Sequence, residues 1–301
     1  MTELVPESST SAPAAPPALP GLYADPNLVE FDGTYYLYPT SDGSDQWAAT
    51  SFKVFSSTDL SGWVDHGEIF SLPRDTSWAK EHAWAPAVVR RGDTFFLYYS
   101  AEDNIGVAHS HSPLGPFVDL GRPLISAGMY PGRAIDPSVF VDTDNAPYLV
   151  WGNGVANIVA LAPDMVSFDS DTVFSWEPPD FREAAWIHRR GNIYYLSWSE
   201  NDTREVDYRI RYATAEHVFG PWTDHGVLLE KTAERGIFAT GHHSILNIPD
   251  TDDWVIAYHR FAIPDGNGYR REIVIDALKY DADGLLMPVV AGSDLIRHEL
   301  R

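Results

Sequence analysis

The chain has 301 residues, 44% of them hydrophobic, so it is long enough to bury a substantial core. Its 43 acidic residues outnumber the 21 Lys and Arg residues and give a net charge of -22, which argues against nucleic acid or an anionic membrane surface as a partner. The chain contains no cysteine, which excludes disulfides, thiolate metal sites and a cysteine nucleophile.

The first twenty residues, MTELVPESSTSAPAAPPALP, predict neither a targeting signal nor a folded element. They lack the basic start and the apolar run of a secretory signal, and their Pro, Ala and Ser content predicts a disordered tail over residues 1–20. No later stretch approaches the roughly 18 apolar residues that a membrane span needs. We therefore expect a cytoplasmic protein that does not contact membranes.

From residue 21 onward the chain repeats a pattern of short strands. Five aromatic and β-branched runs, each opened by turn residues, begin at residues 33, 92, 145, 191 and 252. Each run is preceded by a short apolar segment and followed by an alternating one, and a fourth segment often follows a GPF or GPW turn. The spacing is typical of propeller blades. Residues 21–301 are therefore predicted to form an all-β, five-bladed β-propeller with four antiparallel strands per blade.

The first strand of each repeat begins with residues that can be aligned. The strands read DPNLV, APAVV, DPSVF, EAAWI and HHSIL, and this alignment superimposes Asp25, Ala85, Asp136, Glu183 and His242. Because the innermost strands of a propeller surround its central channel, these residues are expected to converge. Three carboxylates and a histidine in one small volume predict a catalytic site more readily than a set of unrelated turn residues.

Carboxylates crowded in a channel cannot all remain ionised, because like charges push their pKa values apart. The result is one acid and one base. This pair suits cleavage of a glycosidic bond, in which one carboxyl group protonates the leaving oxygen while the other activates water or attacks the sugar.

These motifs together resemble glycoside hydrolase family 43. The segments that carry the resemblance are YADPNLV, WAPAVV, IDPSVFVD, REAAWIHRRGNIYYLSWS, GHHSIL and RREIVIDALKYDADG, and they cover nearly the whole chain after residue 20. The resemblance implies that Asp25 is the general base, that Glu183 is the general acid, and that Asp136 positions and tunes the acid. It also implies inversion at the anomeric carbon, with base and acid about 6.5 to 9.5 Å apart.

The acid motif departs from the family pattern in one respect. The family often has Gly-Pro after its acid, whereas this chain has Ala184 and Ala185. Glu200 and Glu272 are therefore alternative acids. Both are out of phase with the other two carboxylates, so Glu183 is preferred.

Further residues are candidates for binding. The resemblance implies that His242 binds a calcium ion, largely through waters, although a hydrogen-bonded core histidine fits the sequence as well. It also implies that Arg271 reaches the sugar or the acid, with a surface ion pair as the alternative. The Trp84 indole would form an apolar wall for a sugar unless it packs between blades. No cofactor is expected to be required for the chemistry, and calcium in the central channel is the metal predicted. Other candidates for the pocket border are Trp47, Trp151 and Trp186.

The predicted function is an inverting exo-glycosidase that releases terminal α-L-arabinofuranosyl residues from arabinose-containing oligosaccharides of hemicellulose or pectin. The preference for arabinose rests on the end of the chain at blade five, because relatives that prefer β-xylosides often carry a further C-terminal β-sandwich. β-Xylosidase, arabinanase and galactosidase activities remain alternatives.

Two other classes of protein fit the sequence less well. A retaining fructan or sucrose hydrolase would have Arg-Asp-Pro at the middle motif and Glu-Cys at the acid, where this chain has IDP and EA. A non-catalytic sugar-binding propeller has no need for aligned carboxylates at the channel, and its ligand sites would more often repeat in every blade.

Overall fold

The computed structural model describes residues 13–293, which form five antiparallel sheets arranged as the blades of a propeller. Blade one contains β1 (Tyr23–Phe31), β2 (Thr34–Ser41), β3 (Ser51–Ser57) and β4 (Val64–Ser71). Blade two contains β5 (Trp84–Arg91), β6 (Thr94–Ala101), β7 (Asn104–Ser110) and β8 (Val118–Asp119). Blade three contains β9 (Ser138–Val141), β10 (Pro147–Trp151), β11 (Ala156–Ala160) and β12 (Phe174–Trp176). Blade four contains β13 (Glu183–Arg190), β14 (Ile193–Glu200), β15 (Arg209–Ala215) and β16 (Thr223–Leu229). Blade five contains β17 (Gly241–Asn247), β18 (Trp254–Phe261) and β19 (Arg271–Leu278).

Helical structure within residues 13–293 is limited to single turns between strands. They are α1 (Leu72–Asp75) and three 3-10 turns at Asp45–Trp47, Ser170–Thr172 and Ala233–Arg235. In this part of the chain no helix has the length and the apolar character needed to cross a membrane.

The hydrophobic core lies between neighbouring blades. Strand residues alternate between the two faces of a sheet, so each aromatic run presents large side chains to the adjacent blade. Phe52 and Phe70 of blade one, for example, pack against Tyr99 of blade two, with ring centroids 5.7 and 5.1 Å from that ring. The predicted five-bladed propeller is confirmed. Four blades have four strands, and blade five has three among the described residues.

The segment before the first strand packs against blade five. Leu19 is 1% exposed, the Ala18 N–H donates to the Ile273 carbonyl (2.8 Å), and the Ala15 N–H donates to the Gly292 carbonyl (3.1 Å). The prediction of a disordered tail through residue 20 is therefore wrong for residues 13–20, because their few apolar side chains find a place in the core. Residues 1–12 and 294–301, which the predicted tail and propeller also included, lie outside the described residues.

Substitution Leu19→Ala is expected to lower the free energy of unfolding by about 2–4 kcal/mol, because it removes a buried side chain from the cluster between blades five and one. Leu114→Ala makes the same chemical change at a side chain that is 37% exposed, and it should cost less than about 0.5 kcal/mol. Chemical denaturation of both variants measures the difference. Equal losses would show that residues 13–20 do not belong to the cooperative fold.

Candidate active site

A residue with left-handed backbone geometry opens the inner strand of every blade. The five residues have φ between 44° and 58° and are Asp25, Ala85, Asp136, Ala184 and His242. In four blades the pairing register shifts at this residue, which makes it part of a β-bulge. A non-glycine residue with positive φ costs on the order of 1 kcal/mol or more, and such strain is often found at functional sites.

The preceding blade holds these bulges by their backbone amides. The N–H groups of the bulge residues in blades two, three and five donate to the hydroxyls of Thr40, Ser100 and Ser199, at 2.8 to 2.9 Å. The Asp25 N–H donates in the same way to Nδ1 of His259, at 3.3 Å. All four acceptors lie near the ends of second strands and pair in register with the residue before their own blade's bulge. His259 thus joins blade five to blade one.

Glu183 lies one residue before the bulge of its blade. Glu183 pairs with Ser199 just as Trp84 of blade two pairs with Ser100. Glu183 and Trp84 therefore occupy equivalent positions in their blades. The predicted alignment of Glu183 with Asp25 is wrong by one residue. The alignment matched carboxylates to one another, but the position is defined by the bulge.

One cavity of about 270 Å³ collects the predicted site residues at the mouth of the channel. All six of them line it, and they are Asp25, Trp84, Asp136, Glu183, His242 and Arg271. Of the other tryptophans, Trp47 lines this cavity while Trp151 is buried in the core between blades two and three. Trp186 borders a smaller cavity deeper in the channel.

Asp25 is buried among three nitrogen-bearing side chains. Its Oδ1 lies 3.1 Å from His259 Nδ1, 3.2 Å from His242 Nδ1 and 3.3 Å from Arg271 Nη1. Burial alone raises the pKa of Asp25, but His242, Arg271 and His259 together outweigh it and hold that pKa well below its usual range. Asp25 is therefore ionised at neutral pH and can orient a water molecule.

Asp136 has the opposite electrostatic surroundings. Burial and the negative charges of Glu183 and Asp25 raise the pKa of Asp136 well above its usual range, although Arg133 and Arg271 act against this. The surroundings thus favour the ionised form of Asp25 and the protonated form of Asp136, which is the kind of division that acid and base catalysis requires.

Glu183 is fixed at the wall of the cavity by neutral donors. The Tyr208 hydroxyl donates to its Oε1 (2.8 Å) and the Asn153 amide donates to its Oε2 (2.7 Å). Arg182 Nε lies 3.9 Å from the same Oε2. The side chain is 12% exposed, so the carboxyl group is accessible to a ligand in the cavity while its orientation is set from two sides.

Arg271 connects Asp25 to the first blade. Its Nε and Nη2 donate to the two oxygens of Asp42, at 2.8 and 3.3 Å, while Nη1 donates to Asp25 Oδ1. Burial alone lowers the pKa of Arg271, but Asp25 and Asp42 raise it above its usual value, so the guanidinium stays charged. At 4% exposure Arg271 is not the surface ion pair that the sequence left as an alternative.

Two tryptophans form an aromatic side of the cavity. The Trp84 indole N–H donates to the Trp47 carbonyl (2.7 Å), and the two rings meet nearly at right angles with centroids 6.4 Å apart. The Trp47 indole N–H in turn donates to the Gly268 carbonyl (2.7 Å). Both tryptophans line the cavity, and the role of Trp84 as an apolar wall for a sugar stays a prediction.

Comparison with known proteins identifies this arrangement. The sequence model of glycosyl hydrolases family 43 matches residues 14–286. The chain belongs to glycosyl hydrolases family 43. It is 33% identical over 303 residues to the β-D-galactofuranosidase xynD of Aspergillus niger, an alignment that covers 95% of this chain and 88% of that protein.

Solved structures of family 43 enzymes have the same fold. An α-L-arabinofuranosidase from Clostridium thermocellum is 31% identical, with a TM-score of 0.76, and the match covers 89% of this chain and 93% of that one. A β-xylosidase/α-arabinofuranosidase from a compost metagenome, solved with xylotriose in a calcium-free form, is 27% identical with a TM-score of 0.80 and coverage of 96% and 99%. The chain is therefore a glycoside hydrolase of this family.

The two alternative acids lie outside the cavity of this family 43 enzyme. Glu200 pairs with Arg209 (2.6 Å) and Arg211 (3.3 Å), and Glu272 pairs with the buried Arg260 (2.8 Å). Burial alone raises the pKa of Glu200, but the two arginines hold it below its usual value. A carboxyl group that is ionised and already paired is unsuited to donating a proton.

The residues around His242 do not form a direct ligand set for calcium. No group of three or more His, Asp or Glu side chains within residues 13–293 is arranged to hold a metal ion. His242 Nδ1 instead lies between Asp25 Oδ1 and Asp136 Oδ2, at 3.2 and 3.9 Å. The deeper cavity beside it has a volume of about 20 Å³, which suits one water. Calcium prefers six to eight oxygen ligands, so its presence in this family 43 enzyme stays a prediction.

Sequence reasoning missed several residues that support the site. They are Asp42, Asn153, Thr203, Tyr208 and His259. All five lie outside the first strands, in which the aligned residues are found. His259 had a usable signal, because it occupies the second-strand position that carries a hydroxyl residue in three other blades.

Proposed function

We propose that this enzyme is an inverting exo-acting α-L-arabinofuranosidase that removes terminal arabinose from arabinose-containing oligosaccharides. The observation that carries the proposal is the opposed surroundings of two carboxyl groups at one cavity, which lower the pKa of Asp25 and raise the pKa of Asp136 close to Glu183. The cavity volume of about 270 Å³ is near the lower end of the range for small-ligand pockets, which favours a terminal sugar over a long chain.

The reaction assigned to these residues breaks the glycosidic bond in one displacement. Asp25 accepts a proton from a water molecule, whose oxygen forms a bond to the anomeric carbon on the face opposite the leaving group. Glu183 donates a proton to the glycosidic oxygen as its bond to that carbon breaks. Because Asp136 and Glu183 disfavour each other's negative charge, the pair retains a proton for the acid to donate, and Arg271 holds the base in place.

The choice of sugar rests on similarity as well as on chemistry. Of the similar proteins described above, one is a β-D-galactofuranosidase, one an α-L-arabinofuranosidase and one acts on both xylosides and arabinosides. α-L-Arabinofuranose and β-D-galactofuranose share their ring configuration and differ in the substituent at C4. This shared ring supports a furanoside substrate. β-D-Galactofuranosidase activity is the second candidate because of the similarity to xynD, and β-xylosidase activity the third.

Hydrolysis of three nitrophenyl glycosides tests the proposal directly. The α-L-arabinofuranoside should be cleaved with a higher kcat/KM than the β-D-galactofuranoside or the β-D-xyloside, and NMR should first detect the sugar with inverted anomeric configuration. A chelator included in parallel assays tests the calcium prediction. Preference for either other glycoside would replace the assigned sugar, whereas binding of arabino-oligosaccharides without any hydrolysis would support the non-catalytic propeller.

A further inference from the structure

Thr203 lies at the meeting point of the cavity and the buried network around Asp25. It belongs to the loop between β14 and β15 and lines the cavity wall. Its Oγ1 lies 3.2 Å from His259 Nε2 and 3.4 Å from Arg271 Nη1. Both of these neighbours are buried, with His259 fully inaccessible and Arg271 4% exposed. The direction of the Thr203 hydroxyl hydrogen therefore depends on which of them donates.

Arg271 has only one role available in this network. A guanidinium group carries donors and no acceptor, so Arg271 Nη1 must donate to Thr203 Oγ1. His259 can act in either direction, because a neutral imidazole has one protonated and one unprotonated nitrogen. Burial lowers the pKa of His259 to about 4, so its ring carries a single proton at neutral pH.

The backbone of Asp25 decides where that proton lies. The Asp25 N–H donates to Nδ1 of His259, in the position where the bulge amides of three other blades donate to Thr40, Ser100 and Ser199. A buried amide without an acceptor is costly, so Nδ1 is kept unprotonated. Asp25 Oδ1 also lies 3.1 Å from this Nδ1. It accepts from Arg271 Nη1 at 3.3 Å and lies 3.2 Å from His242 Nδ1, so it does not depend on His259 for a donor. The proton of His259 is consequently on Nε2, which donates to Thr203.

We propose that Thr203 is a substrate-binding residue whose hydroxyl can only donate into the cavity. Its oxygen already accepts from His259 and Arg271, so its hydrogen is left for a ligand oxygen that accepts a hydrogen bond. Because the same His259 and Arg271 contact Asp25, the sugar oxygen held by Thr203 is placed in a fixed relation to the base. The role in catalysis rests on the proposed assignment of Asp25, whereas the proton positions do not.

The tautomer of His259 is measured without any sugar. In protein labelled with ¹⁵N-histidine, long-range proton–nitrogen correlations distinguish protonated from unprotonated ring nitrogens, and through-bond correlation to the backbone assigns the signal. The expected result is a proton on Nε2 in the wild type. A proton on Nδ1 would overturn the proposal, because the Thr203 hydroxyl would then donate to His259 and not to a ligand.

Kinetics of two matched variants test the donation itself. Thr203→Val keeps the shape of the side chain but removes the hydroxyl, and it should lower kcat/KM by about tenfold on whichever furanoside the enzyme cleaves. Thr203→Ser retains the hydroxyl and should restore most of that loss. Equal values for Val and Ser variants would overturn the proposal while leaving the proposed function intact. If no glycoside is cleaved, the proposed function fails. Calorimetry of L-arabinose binding then tests the role of Thr203: weaker binding by Thr203→Val than by Thr203→Ser supports the proposal, and equal binding overturns it.

Discussion

Glu183→Gln is expected to slow the release of arabinose from an arabino-oligosaccharide by about 10²- to 10⁴-fold. A sugar leaving group departs as a poorly stabilised oxyanion unless an acid protonates it. Nitrophenolate needs no such proton, so the same variant should cleave the nitrophenyl arabinofuranoside with a loss of less than about tenfold. Glutamine has nearly the volume of glutamate and still offers one oxygen to Tyr208 or Asn153, which limits structural change. The ratio of kcat/KM for the two substrates is the measurement.

Glu200→Gln is the matched control for that experiment. Glu200 lies in the neighbouring strand of the same blade, is also largely buried, and forms ion pairs with Arg209 and Arg211. Its substitution is expected to cost stability without changing the ratio between the two substrates. A leaving-group dependence that appeared in Glu200→Gln, or a Glu183→Gln variant that lost both activities equally, would contradict the assignment of Glu183 as the acid.

The architecture of the propeller could be predicted because its signal is local and repeated. Each blade repeats a turn followed by an aromatic run such as GTYYLY or GDTFFLYY, and alternation along each strand follows directly from β geometry. The convergence of Asp25, Asp136 and His242 follows from the same repetition. Equivalent positions on the inner strands must face the channel whatever their side chains are.

Single-residue register could not be predicted in the same way. Aligning Glu183 with Asp25 is reasonable from composition, yet the bulge of that blade lies at Ala184. The positive φ that defines the position is tolerated by Asp, His and Ala in this protein, so no residue type marks it. The side chain of Glu183 still reaches the cavity, as that of Trp84 does at the equivalent position of blade two, because the bulge interrupts the alternation of side chains along the strand.

The residues that contact and support the candidate base could not be predicted for a different reason. Asp42, Thr203 and His259 come from a loop or a second strand, and their relation to the base depends on how neighbouring blades pack. A single sequence contains no information about the distances between residues of neighbouring blades. The packing of Leu19 against blade five is another such contact, since a Pro-rich segment shows no periodicity before its partner is known.

Asp25→Ala is expected to reduce hydrolysis of the nitrophenyl arabinofuranoside by about 10²- to 10⁴-fold, because the attacking water loses the group that accepts its proton. Sodium azide should restore much of the lost rate. Azide is already an anion and needs no base, and the space vacated beside Arg271 and His242 suits a small anion. An inverting displacement predicts a glycosyl azide of inverted anomeric configuration, which NMR of the product identifies.

The pH dependence of the wild type provides an independent check on the base. Asp25 acts only when deprotonated, and its environment holds its pKa below the usual value. The acidic limb of kcat/KM should therefore lie below about pH 4, where an ordinary aspartate is half protonated. Substitution Arg271→Leu removes one source of this lowering and should move the limb to higher pH. A wild-type limb near pH 6, or an Asp25→Ala variant that azide does not rescue, would show that another group activates the water.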